Sequence, residues 1–166
     1  MYMNRHRSRK RLPGFDYRLP GPYWVTICLH ERIPRFGVVR EDGVVLTPAG
    51  QMVEDAWRSL PAMFPSVELD AFIVMPDHLH GILSLNDGMT FELSTLPTLG
   101  QVIGAFKSIS TNRYIAGVKH HRWNPYRKYF WLEDYHEHII RGERDLAAKR
   151  LYIERNPARW VEKRGE

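Results

Sequence analysis

Residues 67–85 read VELDAFIVMPDHLHGILSL, and this stretch decides the fold. It contains two runs of apolar and β-branched residues, Val67–Val74 and His78–Leu85, separated by Met-Pro-Asp at positions 75–77. Such runs on either side of a proline-containing interruption predict two consecutive strands.

The second of these strands has two chemically different faces. His78 and His80 are two residues apart, so their side chains point to the same face of a strand. Leu79, Leu83 and Leu85 point to the other face, and we expect them to be buried against helices. The Cα atoms of the two histidines would lie roughly 7 Å apart, a spacing from which both imidazoles can bind one metal ion. The strand therefore predicts a solvated, metal-competent face and a dry core face.

A second histidine pair has the same spacing, at His136 and His138. With eight histidines in the chain, roughly 0.4 such pairs are expected by chance. An isolated pair is therefore most simply two ordinary surface histidines, and we give the second pair that interpretation. The first pair differs because it lies on a predicted strand whose opposite face carries three leucines.

The remaining sequence mixes predicted strands and helices. A strand over 23–29 precedes a hairpin over 37–46, and Thr47 then begins a helix that Pro61 ends. Thr98 and Gln101 have capping-box spacing at the start of another helix, and a last helix spans 143–156. Residues 87–97 are predicted as a loop and 117–126 as a basic connector, while 129–140 fits either a strand or a helix. This order predicts an α+β fold in which helices cover one face of an antiparallel sheet.

Length and composition indicate one soluble domain. The chain has 166 residues, and we divide it into a flexible basic arm over 1–14 and a single domain over 15–166. No apolar run is long enough to span a membrane. Cys28 is the only cysteine, so no internal disulfide can form and a cytoplasmic location is expected.

The positive charge of the chain favours a polyanionic partner. The formal net charge is +5, and lysine and arginine side chains neutralise phosphates and release counterions. A solvated tail or helix face explains each basic cluster equally well when it is taken alone. The nucleic-acid contacts that we expect are Arg5, Arg7, Arg9, Lys10, Arg11, Lys107, Arg113 and Arg155.

Tyr152 and Asn156 are candidates for catalysis on the predicted last helix. They are four residues apart and therefore share one helix face, whereas Leu146 and Ile153 form a separate stripe toward the core. A tyrosine hydroxyl can attack phosphorus if a nearby cation polarises the phosphate, and the amide oxygen of Asn156 can bind such a cation. The same pattern also fits a tyrosine at the core edge and an asparagine before a proline. Spacing alone does not rank Tyr152 above the other tyrosines, nor does it exclude Asp77 or Glu133 as further acids.

Five segments of the chain together resemble the HUH single-tyrosine transposases, and specifically the REP-associated tyrosine transposases. HUH denotes histidine, hydrophobic residue, histidine. In chain order the segments are YWVT at 23–26, FIVMPDHLH at 72–80, GAFKS at 104–108, W at 131 with YHEHIIR at 135–141, and YIERNP at 152–157. One departure is Leu132, where the family often has glutamine after the tryptophan, so a polar contact at that position is in doubt.

The resemblance implies a fold, a site and a substrate. The fold is a ferredoxin-like sandwich similar to the RNA-recognition fold. Tyr152 matches the catalytic tyrosine of the family, and His78, His80 and Asn156 match the residues that hold Mg²⁺ or Mn²⁺. The implied partners are DNA hairpins with adjoining single strands, which are cut and joined through a covalent 5′-phosphotyrosine.

Two other functions remain open at this point. The chain could be a non-catalytic, domesticated hairpin-binding module on the same fold, or a metal-dependent phosphohydrolase without a covalent intermediate. The oligomeric state is also open between a monomer and a homodimer in which one subunit's tyrosine serves the partner's histidines.

Overall fold

The computed structural model describes residues 11–86 and 95–164. Residues 1–10 of the predicted arm, including Arg5, Arg7, Arg9 and Lys10, and most of the predicted loop lie outside these ranges. Within the described ranges, no helix is both long enough and apolar enough to cross a bilayer. In chain order the elements are β1 (Gly21–Cys28), β2 (Gly37–Arg40), β3 (Gly43–Leu46), α1 (Pro48–Arg58), α2 (Leu60–Met63), β4 (Val67–Met75), β5 (His78–Leu85), α3 (Leu99–His121), β6 (His136–Ile139), α4 (Gly142–Glu154) and α5 (Asn156–Arg164).

Four strands form one antiparallel sheet in the order β4–β5–β1–β6. β1 pairs with β5 along its whole length, from Gly21 opposite Leu85 to Cys28 opposite His78. β4 and β5 are the two consecutive strands that the deciding stretch predicts. With α1 between β1 and β4, and α3 between β5 and β6, this is the expected ferredoxin-like topology. The predicted hairpin is also present as the separate pair β2–β3.

Helices α1 and α3 cover one face of this sheet and enclose the main core. Leu79 and Leu83 of β5 are fully buried on that face, as predicted. Trp57 of α1 meets Phe106 of α3 edge to face, with ring centroids 5.3 Å apart. Gly81 of β5 lies directly beneath this contact, since a Cβ added there would come within 2.6 Å of Trp57 Cζ2. The absence of a side chain at this strand position lets the tryptophan approach the sheet.

Both predicted helix starts are confirmed. The Thr47 side chain accepts a hydrogen bond from the Gly50 backbone N–H, with Pro48 in the first turn of α1. Thr98 and Gln101 form a reciprocal capping box at the start of α3. These side chains satisfy backbone N–H groups that have no acceptor within the helix.

Helix α3 is longer than the sequence indicated. The predicted connector over 117–126 is wrong in its first part, because α3 continues to His121. Gly117 lies inside the helix against Trp123, where an added Cβ would stand 2.1 Å from Trp123 Cε3. This glycine therefore serves close packing instead of ending the helix. The chain leaves α3 at Arg122, whose φ of 58° is left-handed.

The end of α1 differs from the prediction, and the structure shows which part of the ambiguous segment 129–140 is a strand. Helix α1 ends at Arg58, and Pro61 lies in the first turn of α2 instead of ending α1. Proline is tolerated in a first turn because its missing N–H would have no helical acceptor. In the ambiguous segment 129–140, residues 136–139 form strand β6, which pairs with β1 at the edge of the sheet.

The predicted last helix is two helices. Helix α4 ends at Glu154, as the proline at position 157 predicts, and α5 begins at Asn156. Pro157 ends one helix and occupies the first turn of the next, where its fixed φ is favourable. The change of direction brings α5 toward β5, and the ring of Trp160 lies 5.8 Å from that of His78. The sequence predictions did not include α5.

Helix α4 covers part of the other face of the sheet. Ile153 of α4 packs with Ile82 of β5 and with Ile140, and Leu146 lies at the margin of this cluster. The predicted arrangement of helices on one face therefore holds for α1 and α3, and α4 adds a thinner layer opposite them. This thinner layer carries Tyr152.

We expect Gly81→Ala to destabilise the protein, because the new methyl group would overlap the Trp57 ring in a closely packed core. The expected loss is about 1–3 kcal/mol in the free energy of unfolding, measured by urea denaturation. Gly104→Ala is the matched control: Gly104 is exposed on α3, and nothing lies within 4 Å of an added Cβ. Alanine there should be neutral or stabilise the protein by up to about 1 kcal/mol. Equal losses in both variants would contradict the contact described for Gly81.

Candidate active site

The two histidines of β5 lie side by side on the face opposite the main core. In the sheet register His78 stands opposite Cys28, and His80 stands opposite Thr26. Their relative exposures are 7% and 5%, so the expectation of a solvated face is wrong. Residues of α4 and α5 cover them, including Trp160, which packs against His78. The pair therefore lies at the bottom of a partly enclosed cavity.

The imidazoles converge through their Nε2 atoms, which are 3.1 Å apart. The Nδ1 atom on the other side of each ring has its own partner. His80 Nδ1 lies 2.7 Å from Thr26 Oγ1, and His78 Nδ1 lies 2.6 Å from Asp77 Oδ1. Asp77 is 1% exposed, and its second oxygen accepts from Arg32 Nε at 3.1 Å. These partners fix the orientation of both rings, as outer partners of metal-binding histidines do.

Burial affects the protonation of one of the two rings, His80. Burial, and then the neighbouring His78, lower the pKa of His80 to about 2, so His80 is neutral at physiological pH. If His78 donates its Nδ1 proton to Asp77, its Nε2 carries a lone pair aimed at His80. Two lone pairs at this distance repel each other unless a proton or a metal ion lies between them. The arrangement fits either a hydrogen bond from one Nε2–H to the other Nε2 or a cation shared by the two rings.

Tyr152 stands against the same histidine. Its ring meets His80 edge to face with centroids 5.4 Å apart, and it contacts Trp24 in the same way at 5.7 Å. Trp24 in turn stacks on His80 at 5.4 Å. The guanidinium of Arg159 lies 4.8 Å from the centroid of the tyrosine ring. Tyr152 is thus placed beside the histidine pair within a single chain.

Asn156 completes the set of predicted site residues. It is the first residue of α5 and is 5% exposed. It lines the same cavity as the two histidines and Tyr152, with a volume of about 400 Å³. The cavity is lined by Thr26, Cys28, Arg32, His78, His80, Tyr152, Asn156, Arg159, Trp160 and Lys163.

The donors in this cavity can hold a divalent ion, but no carboxylate is among the side chains that line it. His78 and His80 offer ring nitrogens, which suit zinc, and Asn156 offers an amide oxygen, which suits manganese or magnesium. Within residues 11–86 and 95–164, no three histidine, cysteine, aspartate or glutamate residues form a cluster able to hold a metal ion. A metal site at the histidine pair would therefore depend on Asn156 and on ligands from outside the protein.

The predicted DNA contacts have differing surroundings. Arg11 stacks on Tyr135 and donates to its hydroxyl. Lys107 is half-buried, and its ammonium donates to two backbone carbonyls, at Leu132 and Glu133. Arg113 is exposed on α3, and Arg155 is exposed between α4 and α5. None of the four lines the cavity.

The competing aromatic residues lie mostly in the core. Tyr114 and Trp131 are buried, and Trp131 Nε1 donates to Ser110 Oγ at 2.9 Å. Tyr129 is 56% exposed and lies away from the cavity. Of the second histidine pair, His138 is 2.8 Å from an oxygen of Asp145. Tyr152 is the tyrosine that lines the cavity.

Several site residues were missed by the sequence predictions. Thr26 stands in an otherwise apolar strand, which was a usable signal for a polar partner on that face. Arg159, Trp160 and Lys163 follow Asn156 at helical spacing, but they were overlooked because the helix was expected to end. Arg32 carried no sequence signal, since its contact with Asp77 is 45 residues away along the chain and its backbone is left-handed, with φ at 54°.

Comparison with solved structures identifies the class of fold. The structure of a REP-associated tyrosine transposase bound to a REP hairpin aligns with a TM-score of 0.64 and 22% identity, covering 92% of this chain and 73% of that one. A protein of Deinococcus radiodurans R1 named as a transposase aligns with a TM-score of 0.52 and 20% identity, covering 87% and 95%. The chain therefore has the fold of the REP-associated tyrosine transposases, as its motifs predict.

Sequence comparison adds a homologue. An uncharacterized protein of Haemophilus influenzae strain Rd is 34% identical over an alignment that covers 93% of this chain and 90% of that protein. The chain belongs to the same protein family as this H. influenzae protein. No protein-family model matches the chain.

We expect Asp77→Ala to destabilise the metal-free protein, because His78 Nδ1 and Arg32 Nε would lose their shared acceptor. The expected loss is about 1–3 kcal/mol in the free energy of unfolding, measured by urea denaturation. Asp55→Ala, at an exposed position of α1, is the control and should be neutral or slightly stabilising. A variant at position 77 as stable as the wild type would show that Asp77 does not hold the histidine.

Proposed function

We propose that this protein is a metal-dependent endonuclease and strand transferase that acts on single-stranded DNA flanking hairpins, through a covalent 5′-phosphotyrosine. The observation that carries the proposal is the placement of Tyr152 against His80, whose Nε2 meets that of His78 at 3.1 Å. A nucleophile and a cation-binding pair on one cavity are the two parts that this chemistry requires.

Tyr152 is the proposed nucleophile. Its hydroxyl oxygen would form a bond to phosphorus as the bond from phosphorus to the 3′ oxygen breaks, while the tyrosine loses a proton and the leaving oxygen gains one. One phosphodiester replaces another, so little free energy is lost, and a second 3′-hydroxyl can reverse the step and join a new strand. Mg²⁺ or Mn²⁺, when bound, would offset the negative charge that develops on the phosphate.

His78, His80 and Asn156 are the proposed metal-binding residues. Thr26 and Asp77 would keep both Nε2 lone pairs directed at the ion by holding the two Nδ1 atoms. The low pKa of His80 supports this role, because a neutral imidazole binds a metal ion without first releasing a proton. Because Tyr152 contacts His80 of the same chain, we propose that each subunit cuts with its own tyrosine.

The proposed substrate is a DNA hairpin with unpaired flanks. The structural neighbour with a TM-score of 0.64 was solved bound to a REP hairpin, and the present chain has the same fold and a net charge of +5. Excess positive charge favours binding to a nucleic-acid backbone in a salt-dependent way. Arg11, Arg113 and Arg155 are exposed cations available for such contacts.

The proposal can be tested with end-labelled DNA hairpins that carry randomised single-stranded flanks. Incubation with Mn²⁺ should give a protein–DNA adduct that survives a denaturing gel, and EDTA should abolish it. Binding of the hairpin without cleavage would instead indicate a DNA-binding module. Cleavage without an adduct would indicate a phosphohydrolase.

We expect Tyr152→Phe to bind hairpin DNA with unchanged affinity but to form no adduct, because only the attacking oxygen is removed. Adduct formation is read on a denaturing gel and binding by fluorescence anisotropy. Tyr129→Phe is the matched control: Tyr129 is exposed and lies away from the cavity, so this variant should form the adduct as the wild type does. An adduct that persists in Tyr152→Phe would remove Tyr152 as the nucleophile.

A further inference from the structure

Trp24 of β1 connects the sheet to the helix that carries the tyrosine. Its indole stacks on His80, with ring centroids 5.4 Å apart and an angle of 16° between the ring planes. The same indole meets Tyr152 almost perpendicularly, at 5.7 Å and 89°. Tyr152 also meets His80 at 5.4 Å, so the three rings are in mutual contact. Trp24 is therefore a flat spacer beside both the tyrosine and one histidine of the candidate active site.

A second residue of helix α4 contacts the same indole. The ammonium of Lys149 lies 4.7 Å from the centroid of the Trp24 ring system, close enough for attraction between a cation and an aromatic face. Lys149 precedes Tyr152 by three residues, so the two side chains lie on the same side of the helix. Helix α4 thus contacts Trp24 at two points about one turn apart. These contacts limit how far Tyr152 can move relative to the sheet.

Ring contacts and apolar packing hold Trp24 in place. In the sheet register Trp24 stands opposite Ile82, a member of the apolar cluster under α4, and it packs against this cluster. The indole N–H is buried and has no hydrogen-bond partner within residues 11–86 and 95–164. The shape of the ring is therefore expected to matter more than its N–H group. Phenylalanine, which keeps a flat ring without an N–H, is the informative conservative replacement.

Trp24 is not among the described residues that line the cavity. A side chain in such a place can affect the chemistry only through the residues that it contacts. The rate of a reaction depends steeply on the placement of the attacking group, and an error of about 1 Å can cost about a hundredfold. Thr26, two residues further along β1, holds Nδ1 of His80. One strand thus supplies both a partner for the histidine and a support for the tyrosine.

We propose that Trp24 is a positioning residue for strand cleavage, because its indole keeps the ring of Tyr152 against His80 and so holds the tyrosine beside the histidine pair before the phosphate is attacked. This inference rests on the proposed function, since it takes Tyr152 as the attacking group. It predicts that the ring at position 24 sets the rate of the chemical step and leaves the binding of hairpin DNA unchanged.

The test is the rate of adduct formation in a single turnover, with hairpin DNA and Mn²⁺ both saturating. Trp24→Leu keeps an apolar side chain but removes the flat ring, and we expect it to lower this rate about tenfold or more. Trp24→Phe should keep the rate within about threefold of the wild type, because a smaller aromatic ring can still contact both neighbours. The affinity for the hairpin, measured by fluorescence anisotropy, should be unchanged in both variants. A wild-type rate in Trp24→Leu would overturn the proposal.

Leu146→Ala is the control for lost packing. Leu146 packs against the same apolar cluster, six residues before Tyr152 on α4. This variant should be less stable in urea than the wild type but should form the adduct at the wild-type rate. A fall in rate as large as that of Trp24→Leu would mean that general loosening of α4 is responsible, and it would overturn the role of the ring.

A second measurement needs neither DNA nor metal. In nuclear magnetic resonance spectra, Overhauser contacts between the ring protons of Tyr152 and His80 should be present in the wild type and in Trp24→Phe, and lost in Trp24→Leu. Equal contacts in all three proteins would overturn the proposal.

The two readouts separate this inference from the proposed function. If the wild type forms no adduct, the nuclease proposal fails, and the ring contacts still decide whether Trp24 positions Tyr152. If the wild type and all variants form the adduct equally fast, the nuclease proposal stands and the role of Trp24 is removed.

Discussion

The antiparallel pairing of β1 with β5 is the constraint on which the rest of the structure depends. Its register extends without a break from Gly21 opposite Leu85 to Cys28 opposite His78. Side chains alternate between faces along a strand, so a slip of one residue would turn His80 into the core and Leu79 out of it. The buried leucines therefore fix the position of the histidines: the free energy gained by burying apolar surface under α1 and α3 also positions the site.

Helix α4, which carries Tyr152, is held to the sheet by an ion pair as well as by apolar packing. Its apolar cluster is small, but Arg150 of α4 also donates from two nitrogens to the carboxylate of Asp70, at 2.9 and 2.6 Å. This pair links α4 to β4, the strand beside β5. The helix is therefore tied to the sheet by a directed polar contact as well as by packing, and the position of Tyr152 relative to the histidines follows from both.

The sequence predicted those parts of the molecule that follow from local periodicity. Alternation along β5 gave the two faces of the strand, and cap residues such as Thr47 and Thr98 gave the helix starts. Long-range packing explains most of the errors. Gly117 was interpreted as a connector residue because its contact with Trp123 cannot be seen locally. The burial of His78 and His80 was missed for the same kind of reason, since helix α5 and its return over the sheet were not predicted.

We propose that one cation lies between the two converging imidazoles, beside Tyr152. Crystals of the protein with a DNA hairpin and Mn²⁺, measured at a wavelength where manganese scatters anomalously, would locate the ion directly. The account predicts an anomalous peak about 2.0–2.3 Å from Nε2 of both His78 and His80, the range of metal–nitrogen bonds in proteins. A peak at His136 and His138 instead, or none at the first pair, would contradict it.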